Sequence, residues 1–255
     1  QFKIIKIKGN IVETTEATLV DEIPLTIIIN GTELATFLCT PQDTEELILG
    51  FLFTSGLIKK VEEIKKIGVD RNRWTAYIEL THESVLQDMI SKRVYTSGCG
   101  RGIYYYNAYD LMLKNRKILS EYKINSGNIF VLMEALQKES QQFKATGGVH
   151  SAALANNTEL LVFMEDIGRH NAIDKVIGYS LKKKISFKDK IILTTGRISS
   201  EVLFKIQKIE IPIIISRSAP SNHAIRLAEE MNITVVGFVR GKTMNIYSIP
   251  ERIEI

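Results

Sequence analysis

The sequence has little of the residue type that cross-links small secreted proteins. Its 255 residues include two cysteines, Cys39 and Cys99, too few for a disulfide framework, which favours a reducing compartment. Neither has a partner at the spacing of a metal-ligand pair, so we expect no metal site. His150 is followed by Ser151 and Ala152, and no Cys pair comes later. This pattern argues against the zinc site of a nucleobase deaminase, which needs His-x-Glu and Pro-Cys-x-x-Cys.

Long apolar runs and a strong net charge are also missing. The longest apolar runs, such as "IPIIIS", have the length of a strand and cannot span a bilayer. The opening "QFKIIKIKGN" lacks the apolar stretch of a signal peptide. A net charge of +4 and a pI near 8.9 suit an anionic ligand but fall far short of a dedicated nucleic-acid binder. We therefore expect a soluble cytoplasmic protein that binds neither membrane nor nucleic acid.

The first part of the chain, residues 1–95, predicts a small α+β domain. The stretch "FKIIKIKG" alternates with a period of two, and "IPLTIIING" is β-branched and ends on the turn dipeptide Asn30-Gly31. The stretch "TPQDTEELILGFLFTSGLI" then predicts a helix that Thr40 or Asp43 caps.

The second part, residues 121–255, predicts an α/β domain. Helical segments alternate there with the continuous apolar runs "KIILTTG", "EIPIIIS" and "ITVVGFV", which are typical of strands covered on both faces. This order implies parallel neighbouring strands with crossover helices. Residues 96–120, which include a loop rich in glycine and tyrosine, connect the two domains.

Basic residues follow the predicted strands of the second domain. Arg197 lies in "TTGRISS", Arg217 in "SRSAPSNH", and Arg240 and Lys242 in "GFVRGKT". Ligands of open α/β sheets bind at the carboxyl ends of strands, and arginine suits bidentate binding of phosphate. The three turns favour an anionic ligand at one sheet edge. The alternative is that glycine, serine and proline close ordinary turns while the arginines are solvated or paired with glutamates.

One histidine has acidic neighbours at helical spacing. His170 lies four residues from both Asp166 and Asp174, which is one helical turn in each direction. This spacing fits either an oriented base or a helix-surface residue in ordinary ion pairs. For His150, in "TGGVHSAAL", the sequence indicates no definite role.

The two cysteines differ in their surroundings. Cys39 ends an apolar strand, which predicts a buried, inert thiol. Cys99 lies in "TSGCGRGIYYYN", where glycines leave its sulfur unshielded and Arg101 favours the thiolate. Such a cysteine can attack, accept a sulfur atom and move to a second site. An incidental loop cysteine is the alternative.

Taken in order, several blocks of the sequence resemble the formate dehydrogenase accessory sulfurtransferase family, also called the FdhD/NarQ family. The first block is "EIPLTIIINGTELATFLCTPQDTEELILGFLFTSGLI". The later blocks are "TGGVHSAAL", "EDIGRHNAIDKVIG", "TTGRISSEV" and "SRSAPSNHAIRLAEEMNITVVGFVRGKTMNIYSIPERI". The resemblance covers nearly the whole chain.

The resemblance implies a fold, a function and partners. It implies that the second domain is a cytidine-deaminase-like three-layer sandwich without the zinc site. Members take persulfide sulfur from a cysteine desulfurase and pass it to the bis-guanine-dinucleotide form of the molybdenum cofactor, which then activates formate dehydrogenase. A homodimer is also expected from the family.

The resemblance also assigns residues. Cys99 matches the first cysteine of the family's Cys-x-x-Cys loop, but Gly102 stands at the second, so Cys99 is the sole candidate persulfide carrier. The family's cofactor-binding segment falls on Phe238, Val239, Arg240, Gly241, Lys242 and Thr243. Arg197 and Arg217, together with Arg240 and Lys242, are then expected to meet the phosphates, and Phe238 to stack on a guanine ring.

Two other functions stay open on the sequence alone. The chain could be a binding module, a chaperone for the cofactor or for a guanine nucleotide, in which Cys99 has no chemical part. The other function is that of a deaminase-like hydrolase, which would need a metal.

Overall fold

A computed structural model describes residues 1–81, 93–95, 103–105 and 116–255. Cys99, Gly102 and most of the predicted connection over residues 96–120 lie outside the described residues.

Residues 1–81 fold into a hairpin and a four-stranded sheet with one α-helix. The elements are β1 (Phe2–Lys8), β2 (Ile11–Ala17), β3 (Ile23–Ile29), β4 (Thr32–Cys39), α1 (Thr44–Thr54), β5 (Ile64–Asp70) and β6 (Thr75–Leu80), with a 3₁₀ turn at Val61–Glu63. The strand order in the sheet is β4-β3-β6-β5, and β1 pairs with β2 separately. Asn30 and Gly31 join β3 to β4 with positive φ angles of 48° and 81°, as the turn dipeptide predicts.

The second part is built around a six-stranded mixed sheet. Two short strands that precede it, β7 (Arg93–Tyr95) and β8 (Ile103–Tyr105), pair with each other. The elements of the second part are β9 (Ile124–Asn125), α2 (Ser126–Glu139), α3 (Gln141–Thr146), β10 (His150–Ala155), β11 (Leu160–Asp166), α4 (Arg169–Lys182), β12 (Ile191–Thr194), α5 (Ser200–Lys208), β13 (Ile213–Ser216), α6 (Asn222–Met231), β14 (Thr234–Arg240), β15 (Thr243–Ser248) and β16 (Ile253–Glu254), with a 3₁₀ turn at Pro250–Arg252. The strand order is β11-β10-β12-β13-β14-β15. Only the β12–β13 and β13–β14 pairs within it are parallel.

Helices cover both faces of the six-stranded sheet. Alternate residues of one strand point to opposite faces, so Ile192 of β12 packs with α4, α5 and α6, while Ile191 and Leu193 pack with α2. The continuous apolar runs are therefore explained by burial on both sides, and the mixed α/β fold that the sequence predicts is confirmed. The domain boundaries at residues 95 and 120 stay predictions.

Helix α1 packs between the small sheet and α4 at very short range. A Cβ atom added to Gly50 would lie 1.9 Å from the carbonyl oxygen of Asp174, and one added to Gly178 would lie 1.9 Å from that of Glu46. Glycine at these positions thus lets the two helix backbones touch.

A buried ion pair between α4 and the end of β11 holds the segment that precedes α1. Lys175 Nζ lies 2.7 Å from Asp166 Oδ2 and donates to Thr40 Oγ1 at 2.6 Å. Asp43 stands at the N-cap position of α1, as predicted, but neither it nor Thr40 caps the helix with its side chain. Thr40 donates its backbone N–H and its hydroxyl to Asp166, both at 3.1 Å, and Asp43 precedes the helix in a left-handed conformation without a side-chain bond to it. Thr40 is therefore used in a contact between distant segments, which local sequence cannot show.

No helix within residues 1–81 or 116–255 combines the length and the apolar character needed to cross a membrane.

Candidate functional site

The loops that follow β12 and β13 meet at one edge of the six-stranded sheet. Because these strands are parallel, their carboxyl ends lie side by side. The backbone N–H of Arg217 donates to the carbonyl of Thr194 at 3.1 Å, and the Ser218 hydroxyl donates to the carbonyl of Thr195 at 2.9 Å. Arg197, on the first of these loops, is exposed. The two loops thus form one hydrogen-bonded platform.

A cavity of about 740 Å³ opens beside this platform. Its lining includes two of the predicted arginines, Arg217 and Arg240, together with Lys144, His150 and Thr195. Within the described part of the chain its lining residues include no aspartate or glutamate. Its size is that of pockets that bind small molecules and its charge is positive, so its chemistry suits an anion the size of one nucleotide.

His150 is the first residue of β10. Because β10 runs antiparallel to β12, it begins at the sheet edge where β12 ends, and this places His150 at the cavity. Its Nδ1 lies 3.4 Å from Thr195 Oγ1. Burial lowers the pKa of His150, and the positive charges of Arg169 and Arg197 lower it further. The imidazole is therefore neutral at pH 7. His150 begins a strand, so the pattern of basic residues that follow strands does not indicate its place in the cavity.

The segment from Phe238 to Thr243 is only partly available to a ligand. Arg240 lies in the cavity lining, and its guanidinium carbon is 5.3 Å from the centre of the Phe238 ring. Phe238 has a positive φ of 53° and is 38% exposed. The side chain of Val239, however, is buried in the apolar core, and its part in ligand binding stays a prediction.

The remaining residues of this segment form the turn between β14 and β15. Gly241 has a positive φ of 56°, and the Thr243 hydroxyl donates to the carbonyl of Arg240 at 3.0 Å. Lys242 is exposed, and neither it nor Arg197 is among the lining residues of the cavity. Arg217 and Arg240 are thus the predicted residues that the structure brings together at the cavity.

His170 is not the surface residue that its helical spacing suggests. Its Nε2 lies 3.3 Å from Ser199 Oγ and 3.2 Å from Glu201 Oε2. Asp166 and Asp174 bind Lys175 and Lys205 instead, each at 2.7 Å. Burial, and then the charges of Arg169 and Lys205, lower the pKa of His170 to about 3, so it is a neutral, half-buried residue at pH 7.

Comparison with known proteins decides the family. The model of the FdhD/NarQ family matches residues 20–254. The chain belongs to the FdhD/NarQ family. Relatives named "Sulfur carrier protein FdhD" include one from Bacillus subtilis, 44% identical over 95% of this chain and 92% of the relative. Another, from Bacillus pumilus, is 45% identical over 92% of this chain and 90% of the relative.

A solved structure is similar along its whole length to this FdhD/NarQ chain. It is described as a formate dehydrogenase accessory protein from Desulfotalea psychrophila and has a TM-score of 0.79 at 29% identity, covering 99% of this chain and 98% of the other. The fold of the FdhD/NarQ chain is therefore the fold of a formate dehydrogenase accessory protein.

Cys39 of this FdhD/NarQ chain is buried as predicted. Its side chain has no exposed surface, and burial, with the negative charge of Asp166, raises its pKa to about 12. It is thus a protonated thiol at neutral pH, unable to serve as a nucleophile or as an open acceptor of sulfur. Among the residues that the structure describes, no group of three or more His, Cys, Asp or Glu side chains could hold a metal ion.

Proposed function

We propose that the chain is a sulfurtransferase that carries sulfur on Cys99. Cys99 accepts persulfide sulfur from a cysteine desulfurase and passes it to the bis-guanine-dinucleotide molybdenum cofactor, which formate dehydrogenase requires. The observation that carries the proposal is the similarity, over nearly the whole chain, to relatives named as sulfur carrier proteins. The buried Cys39 supports it, because Cys99 is the other cysteine of the sequence.

Loading of Cys99 is an exchange between a thiolate and a persulfide. The Cys99 thiolate attacks the terminal sulfur of the donor's persulfide, a new S–S bond forms at Cys99, and the donor's cysteine leaves as a thiolate. The reaction needs one nucleophilic cysteine on this chain, so Gly102 in place of a second loop cysteine does not prevent it.

Delivery to the cofactor requires electrons as well as sulfur. The transferred sulfur is formally S(0), and a sulfide ligand on molybdenum is S(2−), so the step consumes two electrons. We assign them to an external thiol reductant, which is oxidised to a disulfide, while the displaced oxygen ligand leaves as water. Cys99 is released as a thiol, ready for another cycle.

The cavity supports the second part of this cycle. Arg217 and Arg240 in its lining are suited to phosphate, and its volume of about 740 Å³ suits one nucleotide arm of the cofactor. We propose that the cavity holds that arm while sulfur is transferred, with Phe238 and Lys242 at its margin. We also assign the six-stranded sheet, with helices on both faces, to the cytidine-deaminase-like class. The homodimer and the cytoplasmic location stay predictions.

Activation of formate dehydrogenase tests the proposed function. In a bacterial host that lacks its own carrier of this family, we expect wild type and Cys39→Ala to restore formate oxidation. We expect Cys99→Ala to lower it at least about 100-fold, because an essential nucleophile is removed. The amounts of the three proteins and of formate dehydrogenase are compared on blots. Full activation by Cys99→Ala would instead identify the chain as a chaperone that binds the cofactor without sulfur chemistry.

A further inference from the structure

His150 combines three features that its sequence context does not show. It lies in the cavity lining, it contacts Thr195 in the loop that follows β12, and its ring is neutral at pH 7. The family resemblance gives this residue no role.

The contacts of Thr195 favour a proton on Nε2 of the His150 ring. The Thr195 hydroxyl oxygen accepts the backbone N–H of Ser151 at 3.0 Å, and the backbone N–H of Thr195 donates to the carbonyl of Ser151 at 3.0 Å. Two hydrogen bonds to Ser151 of β10 thus hold Thr195, and its hydroxyl can donate its proton to Nδ1 of His150. A neutral imidazole that accepts at Nδ1 carries its proton on Nε2.

The cavity around the ring favours an anionic acceptor for that proton. Lys144, Arg217 and Arg240 lie in the same lining, and they attract phosphate oxygens. A protonated histidine would be repelled by these cations, whereas a neutral N–H adds a directed hydrogen bond without adding charge.

We propose that His150 is a ligand-binding residue of the cavity, whose Nε2–H donates to a phosphate oxygen of a bound guanine nucleotide while Thr195 fixes the ring's tautomer. The identity of the ligand rests on the proposed function. The direction of the hydrogen bond rests on the geometry of His150 and Thr195 alone.

Guanosine diphosphate, with guanosine as a second probe, tests the assignment by calorimetric titration of the purified full chain. Glutamine can place an N–H near the Nε2 position, whereas asparagine reaches only the Nδ1 position. We therefore expect His150→Gln to bind the diphosphate within about threefold of wild type, and His150→Asn to bind it at least about tenfold more weakly, as for a lost hydrogen bond to a charged group.

Variants of Thr195 show whether weaker binding comes from a changed tautomer of His150 or from a general loss of structure. Thr195→Ser keeps the hydroxyl and should bind like wild type, while Thr195→Val, of the same size, should weaken binding in parallel with His150→Asn. Circular dichroism and the melting temperature show whether each variant is folded. Guanosine should bind equally to all folded variants, because it has no phosphate.

The contrary results distinguish a wrong assignment of His150 from a wrong assignment of the cavity. Tight binding of the diphosphate by His150→Asn, or an equal loss with guanosine, would overturn the proposed contact. No binding by wild type at millimolar diphosphate would overturn the nucleotide site itself. Sulfur loading of Cys99, measured on the same variants, is expected to be unchanged, and it reports separately whether the chain is a sulfur carrier.

Discussion

Replacing Gly178 by alanine is expected to lower the free energy of unfolding by at least about 3 kcal/mol, at or above the upper end of typical overpacking costs. The new Cβ would lie 1.9 Å from the Glu46 carbonyl oxygen and 2.8 Å from the Gly50 backbone nitrogen. Both are backbone atoms, so no flexible side chain can give way. Helices α1 and α4 would have to move apart until the Cβ reached an ordinary contact of 3.4 Å.

Such a separation would also damage the polar contacts between the helices. Asp174 binds Thr54 at 2.9 Å and Lys205 at 2.7 Å in the same interface. These groups are buried, so a polar atom that loses its hydrogen bond cannot bond to water instead. Gly50→Ala should have a similar effect, because its Cβ would lie 1.9 Å from the Asp174 carbonyl oxygen.

Gly68 in β5 provides the matched control. A Cβ added there would meet nothing within 4 Å, and the residue has no positive φ. Urea unfolding followed by circular dichroism should place Gly68→Ala within about 0.5 kcal/mol of wild type. An equal midpoint for Gly178→Ala and Gly68→Ala would show that the helices are not in backbone contact.

Replacing Lys175 by methionine is expected to destabilise the protein by about 3–5 kcal/mol, the cost of leaving a buried charge unpaired. Lys175 and Asp166 both have 0% side-chain exposure, and their charged atoms are 2.7 Å apart. The remaining donors to Asp166, including Thr40 and Asn171, are neutral and cannot balance the carboxylate.

An exposed lysine in the same helix provides the comparison for Lys175. Lys182 joins α4 to α1, through Glu45 and Glu46, but its side chain is 41% exposed. Lys182→Met should cost no more than about 1 kcal/mol, because water screens the pair. The double variant Lys175→Met/Asp166→Asn should recover part of the lost stability, since it removes both charges. If Lys175→Met proved no more harmful than Lys182→Met, the buried pair would not be a major source of stability.

Short-range signals in the sequence predicted much of the fold. The Asn30-Gly31 turn and the apolar runs of β12, β13 and β14 depend on neighbouring residues, and the structure has them where they were expected. Because two of those strand pairs are parallel, the basic turns were also correctly placed at one edge of the sheet.

Contacts between distant segments could not be predicted in this way. Thr40 looks like a helix cap from its neighbours, but its partner Asp166 lies 126 residues away. Gly50 and Gly178 look like weak points inside helices, and only the packing of α1 on α4 shows why a side chain would not fit. His150 was missed as a cavity residue because its position depends on the antiparallel pairing of β10 with β12.

The mass of the intact protein after incubation with a cysteine desulfurase tests the central claim most directly. The mixture contains free cysteine and the pyridoxal cofactor of the desulfurase, and wild type is compared with Cys99→Ala and Cys39→Ala. We predict a gain of one sulfur atom, about 32 Da, in wild type and Cys39→Ala, reversed by a thiol reductant and absent from Cys99→Ala. The same gain in Cys99→Ala, or none in wild type with a donor shown to be active, would contradict sulfur transfer through Cys99.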